Sequence, residues 1–275
     1  MGNQFADTLT YVEAPLNFLA AIDGKPARYI DPPADGNYAF AAQDDIHVTP
    51  VRDARPILGT LSLDVHGFAV LNEPTRVADF HDAKQVRDIY YPETEELVRE
   101  ATDALHVIAF DHNIRYGNAG QLRDASGIRG PAKRVHNDYT LASGPRRARE
   151  LLPPEQAGDL LKRRFAIVNL WRPIRTVEES PLAICDARSI APSDFVATDL
   201  KYSDRTGEIY SVLHNPAQRW FYVPRMRPEE ALLLKCYDSA DNVARFTAHG
   251  AFDDPTSPAN AQPRQSIEVR TLVLF

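Results

Sequence analysis

The run Arg134-Val135-His136-Asn137-Asp138-Tyr139-Thr140 contains the only His-x-Asp of the chain. On a β-strand, residues two apart project from the same face. His136 and Asp138 can then address one metal ion, the first through a neutral ring nitrogen and the second through a carboxylate oxygen. A further imidazole would complete a two-histidine, one-carboxylate set, which leaves positions open on Fe(II). The tripeptide alone is weak, because among 8 His and 38 acidic residues such a pair arises by chance. Its weight comes from what lies around it.

Downstream, the pattern from residue 165 onward is β. Phe165–Trp171 is an apolar run ended by Arg172-Pro173, and Leu182–Asp186, Glu208–Leu213, Arg219–Val223 and Ala231–Cys236 follow with turn residues between them. Ala244–His249 and Ser266–Leu274 are the last two candidate strands. Short strands at regular spacing without intervening helices predict an antiparallel sandwich or barrel. Upstream, residues 142–164 predict two helical pieces broken at Pro153-Pro154, and the segment 117–133, with four glycines, reads as a mobile loop leading into the motif. Lys84 to His106 has helical spacing, with Pro92 set to bend or divide it. Leu61–Leu71 predicts two short strands meeting near Gly67. Residues 1–55 are rich in Pro, Ala and Asp and predict an extended N-terminal arm that wraps the core, with room for short strands. Residues 56–275 form one domain in this reading, a β-rich α+β barrel with a supporting helical layer.

Composition narrows the classes of function. A net charge of −7 and the lack of a Lys/Arg cluster exclude a nucleic-acid-binding face. The two cysteines, Cys185 and Cys236, stand outside any C-x-x-C, so neither a disulfide framework nor a zinc site is indicated. Buried thiols in a reducing cytoplasm are expected instead. The N-terminus lacks the basic-then-apolar pattern of a signal peptide, Ala6 breaks the myristoylation pattern begun by Gly2, and no apolar run spans a bilayer. The expected partner is a small-molecule substrate, with no nucleic acid and no membrane. Monomer and homo-oligomer are equally compatible with the sequence.

Two later features extend the motif into a constellation. His249 offers the second imidazole, and Arg264-Gln265-Ser266 opens the final strand shortly after it. An Arg-x-Ser pair on one strand face presents a forked guanidinium and a hydroxyl, which suits a carboxylate. A hairpin from 249 to 264, turning through Asp253-Asp254-Pro255, would lay this arginine beside the metal-binding strand. His214 is the competing imidazole, but it precedes Asn215-Pro216, a turn signal. Arg270 competes with Arg264 and shares its strand face by period two. Asn169, polar within an apolar strand, is a further candidate for the cofactor pocket.

Four blocks in order resemble a known family. They are His136-Asn137-Asp138-Tyr139-Thr140, Asn169-Leu170-Trp171-Arg172-Pro173, Pro181–Ser189, and Pro263-Arg264-Gln265-Ser266-Ile267-Glu268-Val269-Arg270. The run is similar to the Fe(II)/2-oxoglutarate oxygenase-like enzymes of fungal and bacterial secondary metabolism. That group includes the cephalosporin 7α-methoxylase subunit, gibberellin desaturase and meroterpenoid endoperoxide-forming enzymes. The resemblance covers roughly residues 60–275 and implies a double-stranded β-helix, or jelly-roll, fold. It also implies Fe(II), 2-oxoglutarate as cosubstrate, and O2. By matching position, it implies His136, Asp138 and His249 as metal ligands and catalytic centre, and Arg264 assisted by Ser266 as anchor of the cosubstrate's distal carboxylate. Arg270 and Asn169 are carried with them as cofactor-pocket residues. The expected activity is oxidation of a small metabolite by hydroxylation, desaturation or oxidative cyclisation. A non-catalytic barrel serving a pathway as binding or regulatory subunit is the alternative, and a metal-dependent isomerase or hydrolase on a cupin-like barrel is a third reading. The intact ligand set plus Arg-x-Ser speaks for the oxygenase.

Overall fold

A computed structural model describes residues 8–33, 36–117 and 129–275. Two sheets form the body. The smaller has five strands: β4 (Phe68–Asn72), β5 (His106–Tyr116), β7 (Phe165–Pro173), β12 (Glu230–Asp238) and β14 (Gln265–Leu274), in the order β4-β12-β7-β14-β5. The larger has nine: β1 (Tyr11–Leu19), β2 (Ala27–Tyr29), β3 (Asp44–Asp53), β6 (His136–Asn137), β8 (Leu182–Cys185), β9 (Phe195–Lys201), β10 (Thr206–Val212), β11 (Trp220–Tyr222) and β13 (His249–Ala251), in the order β1-β3-β11-β8-β13-β6-β10-β9-β2.

Alternation along β7 explains how one strand serves two layers. Every residue of β7 is buried. Ala166, Val168 and Leu170 pack with Val86, Tyr90 and Val98 of the helical layer, while Phe165, Ile167 and Trp171 join Leu232, Leu234, Ile184 and Phe221 between the sheets. A strand covered on both faces reads as an unbroken apolar run, and Asn169 is the one exception on the inner side.

The helical layer is α1 (Ala83–Gln85) and α2 (Tyr91–Thr102), joined by a π-helical turn, Val86–Tyr90. Pro92 lies in the first turn of α2 and does not divide the segment. The wider turn before it absorbs the missing N–H and the ring's demand for room. The helix ends at Thr102, short of the expected His106, because Asp103 turns left-handed (φ 53°) and feeds the chain into β5. Two further helices, α3 (Ser143–Leu151) and α4 (Pro154–Leu160), break at Pro153 and Pro154 as their sequence indicates.

Several sequence expectations fail. Residues 61–66 form turns rather than a strand, and 244–248 run without strand structure until His249 opens β13. The hairpin from 249 to 264 does not exist. β13 pairs with β6 and β8 in the larger sheet, whereas β14 pairs with β5 and β7 in the smaller. The intervening stretch, with Pro255, Pro258 and Pro263, crosses between sheets, since proline supplies no ladder donor. The N-terminal region contributes β1, β2 and β3 to the larger sheet, with β1 and β3 paired over their whole lengths. The expected mobile loop falls mostly on 118–128, outside the described residues.

Candidate metal centre

His136 lies on β6 and Asp138 directly follows it; His249 opens β13, where it pairs opposite His136. One ligating atom from each of the three side chains lies within 4.8 Å of the others. The two rings sit 4.7 Å apart, tilted by 49°. Nδ1 of His136 contacts the Arg134 carbonyl at 2.8 Å, and Nδ1 of His249 contacts the Thr247 carbonyl at 2.9 Å. A carbonyl only accepts, so each Nδ1 carries the proton and each Nε2 presents a lone pair. This is the tautomer that imidazole ligands need. Burial, aided by the neighbouring His136, pushes the His249 ring down to about 4, so it stays neutral.

Asp138 is braced from behind. Its Oδ2 accepts from Asn169 Nδ2 at 2.7 Å and faces Arg270 Nη2 at 3.3 Å, while Oδ1 lies 3.5 Å from His136 Nε2. Burial alone would raise this carboxyl, but Arg270 and the His136 ring hold it well below the usual range. Arg270 also pairs with Asp111 at 3.1 Å and Glu268 at 3.5 Å. Sheet register explains the grouping, because Arg270 of β14 lies opposite Asp111 of β5 and Asn169 of β7. Glu268 lies opposite Asn113 and Trp171, and Ser266 opposite Arg115 and Pro173. Three polar rows thus cross the inner face. Asn169 and Arg270, expected in the cofactor pocket, direct their donors at Asp138.

Arg264 enters just before β14 and is 1% exposed. Its Nη1 donates to the Ser180 carbonyl at 2.6 Å, its Nε is buried without a partner, and its guanidinium lies 5.6 Å from the Trp171 ring. Among the described residues no carboxylate pairs with its side chain. Burial and the nearby Arg115 push it down to about 9. A buried cation in this state is short of an anion. Ser266, also buried, is the next residue on the same strand face.

His214 lies elsewhere. Its ring stacks on His47 at 3.7 Å and packs against Phe18. One residue escapes motif reading altogether. Asn137, between the two candidate ligands, points the other way and is fully buried. It accepts from the Thr247 N–H at 3.1 Å and donates to the Tyr139 and Cys236 carbonyls at 2.7 and 2.9 Å. It thereby ties β6 to β12 and fixes the approach to His249. The available signal was a polar residue out of phase with the ligands on a strand covered from both sides. Gly67 supports the same approach: it holds φ +84°, and a side chain there would strike Thr247, whose hydroxyl donates to the Gly67 carbonyl.

A family profile described as "YDMC: Oxidoreductase/YMDC permease-like domain" matches residues 16–274. Among the described residues no helix is long and apolar enough to cross a membrane. The hydroxylase/desaturase efuI of Hormonema carpetanum is 34% identical over 247 residues, 82% of each chain. The alpha-ketoglutarate-dependent dioxygenase tstK of Talaromyces stipitatus is 33% identical over 84% of this chain and 87% of its own. Among solved structures, the iron and alpha-ketoglutarate-dependent endoperoxidase NvfI superposes with a TM-score of 0.86 at 28% identity, covering 96% of this chain and 98% of its own. The two curled sheets are thus the double-stranded β-helix, and the chain belongs to the Fe(II)/2-oxoglutarate-dependent oxygenases of fungal secondary metabolism.

Proposed function

We propose that His136, Asp138 and His249 hold Fe(II) and that Arg264, with Ser266, takes the distal carboxylate of 2-oxoglutarate. The substrate is a small secondary metabolite that undergoes hydroxylation, desaturation or oxidative cyclisation. The observation that carries this reading is the convergence of two carbonyl-tied imidazoles and one braced carboxylate within 4.8 Å. These residues fit the ion, since two neutral nitrogens and one anionic oxygen are the donor set of open non-haem Fe(II) sites.

When bound, the ion and 2-oxoglutarate reduce dioxygen to an oxidant for a C–H bond, with release of succinate and carbon dioxide. The chain's own part is positional. Thr247 and Arg134 carbonyls hold the protons of the two Nδ1 atoms, so both Nε2 lone pairs stay directed inward. Asn169 and Arg270 occupy Oδ2 of Asp138 and leave Oδ1 for the ion. Arg264 offers the two-donor fork that matches a carboxylate.

The same proposal divides the chain into an arm, residues 1–55, and one oxygenase domain, residues 56–275. It also places the enzyme in the cytoplasm, where the free, buried Cys185 and Cys236 stay reduced. Anaerobic addition of Fe(II) and 2-oxoglutarate should develop a visible charge-transfer band, and air should then yield succinate. A protein that gives neither result overturns the reading.

A further inference from the structure

Six strands of the larger sheet close into a ring. Their order is β1-β3-β11-β8-β13-β6, and the two ends of that run meet where Asn17 of β1 forms a parallel bridge with Arg134, two residues before the His136 that opens β6. Phe18, Val51, Val135, Cys185, Trp220 and Phe252 pack inside the ring, all buried. His136 and His249 follow the inward-facing Val135 and Ala248, so the two imidazoles leave the ring on its opposite face.

Two ties cross the seam of the ring, and both act on one peptide group. The Val135 N–H donates to the Asn17 carbonyl at 2.8 Å. The carbonyl of that same peptide, belonging to Arg134, receives the Nδ1 proton of His136 at 2.8 Å. Because the peptide is planar, holding its N–H aims its C=O. The second tie is the ion pair between Arg134 Nε and Asp44, the first residue of β3 and the cross-strand partner of Leu19. The two imidazoles are thus held differently. The Thr247 carbonyl beneath His249 is fixed from inside the molecule, through Asn137 at 3.1 Å and Gly67 at 2.6 Å. The carbonyl beneath His136 is fixed from outside, by the hairpin of β1 and β3.

We propose that Asp44, acting through Arg134, is a positioning residue for the metal centre: with the Asn17 carbonyl it fixes the peptide plane that orients the His136 ring. The inference rests on the oxygenase reading in taking His136 as a ligand of Fe(II). It gives the N-terminal hairpin a part in the reaction that no motif marks.

The test uses the full chain carrying Asp44→Asn, which keeps the shape of the side chain and removes its charge. Anaerobic Fe(II) titration with 2-oxoglutarate present should show affinity weakened roughly 3–10-fold, less than the loss of a direct partner of a ligand would cause. Nitrogen-15 histidine NMR of the metal-free protein gives a second reading, with the His136 ring assigned from the signal missing in His136→Gln. Its Nδ1 proton should exchange with solvent several-fold faster in Asp44→Asn, while the His249 proton keeps its wild-type rate. Asp44→Glu should restore both readings to within about twofold. Arg134→Gln should match Asp44→Asn, and the double variant should be no worse than either, because the two side chains act as one unit. His214→Ala removes the stack on His47 of the same hairpin without touching Arg134, and it should keep Fe(II) affinity within about twofold. Unchanged affinity and exchange in Asp44→Asn overturn the proposal. An equal loss in His214→Ala, or additive losses in the double variant, also overturn it, since either would mean general loosening of the hairpin. Faster His136 exchange in Asp44→Asn, in a protein that binds no Fe(II), would refute the oxygenase reading while leaving the hold of Asp44 on the ring standing.

Discussion

Asn169 donates its amide to Oδ2 of Asp138 at 2.7 Å, from a strand of the opposite sheet, and so decides which carboxylate oxygen remains for a metal ion. Partners of this kind set ligand orientation, and their loss typically weakens metal affinity roughly 10–100-fold. Asn169→Ala should therefore weaken Fe(II) binding by about tenfold or more while the chain stays folded. Arg270→Ala should act in the same direction, because it leaves Asp138 and Glu268 without their shared cation. Anaerobic Fe(II) titration monitored with 2-oxoglutarate present is the measurement. Unchanged affinity in both variants would remove the bracing argument.

The choice between two imidazoles is equally open to measurement. His249→Ala should abolish the Fe(II)–2-oxoglutarate charge-transfer band, since one of three converging donors is lost. His214→Ala should leave the band intact and disturb only the stack on His47 and the contact with Phe18. The reverse pattern would move the third ligand to His214.

Arg264→Ala should weaken 2-oxoglutarate far more than Fe(II). Truncating one partner of a buried charge pair costs roughly 2–5 kcal/mol, which raises the dissociation constant by about 30-fold to several thousandfold. Ser266→Ala should lose about 1 kcal/mol, the worth of one neutral donor. Titration of the charge-transfer band against 2-oxoglutarate reads both. A normal curve for Arg264→Ala would transfer the anchor elsewhere.

A fourth expectation concerns acid stability. Asp186 is 1% exposed and accepts from Arg188 at 2.7 Å and Arg219 at 3.3 Å. Burial opposes its charge, yet Arg188 and then Arg219 hold its carboxyl below the ordinary value. A carboxylate lowered on folding stabilises the protein above its unfolded pKa, and the contribution fades as pH falls through the folded value. Asp186→Asn should cost about 1.5 kcal/mol at neutral pH, with the difference from wild type shrinking below about pH 4. Urea midpoints across pH test this, and a pH-independent difference would contradict it.

Much of this was written in the chain. Short apolar runs set off by turn residues marked most strands after 165 but not β9, Pro153-Pro154 marked the helix break, and His136-x-Asp138 named two of the three converging side chains. What stayed hidden was long-range pairing. β1 and β3 carry Pro15 and Pro50, and their register depends on each other rather than on local pattern. The 249–264 connection was misread because sequence proximity suggested a hairpin, whereas three prolines carry the chain to the other sheet. Asn137 and the contact of Asn169 with Asp138 were invisible for the same reason, since their partners lie far away in sequence. Burial of an unpartnered Arg264 Nε is likewise a property of the packed molecule and not of any motif.

The division of the site between two sheets has a mechanical consequence. His136 and His249 belong to the larger sheet, Asn169 and Arg270 to the smaller, and Asn137 bolts the two together through the Cys236 carbonyl. Were the sheets to slide or part by even an ångström, the bracing of Asp138 by Asn169 and Arg270 would be lost while His136 and His249 stayed paired. Metal occupancy then works as a clamp as well as a reagent. An ion held by Asp138 loads the same carboxylate that Asn169 and Arg270 grip from the smaller sheet, so it penalises breathing of the sandwich through that carboxylate, and an empty protein should exchange its interior amides faster than a loaded one.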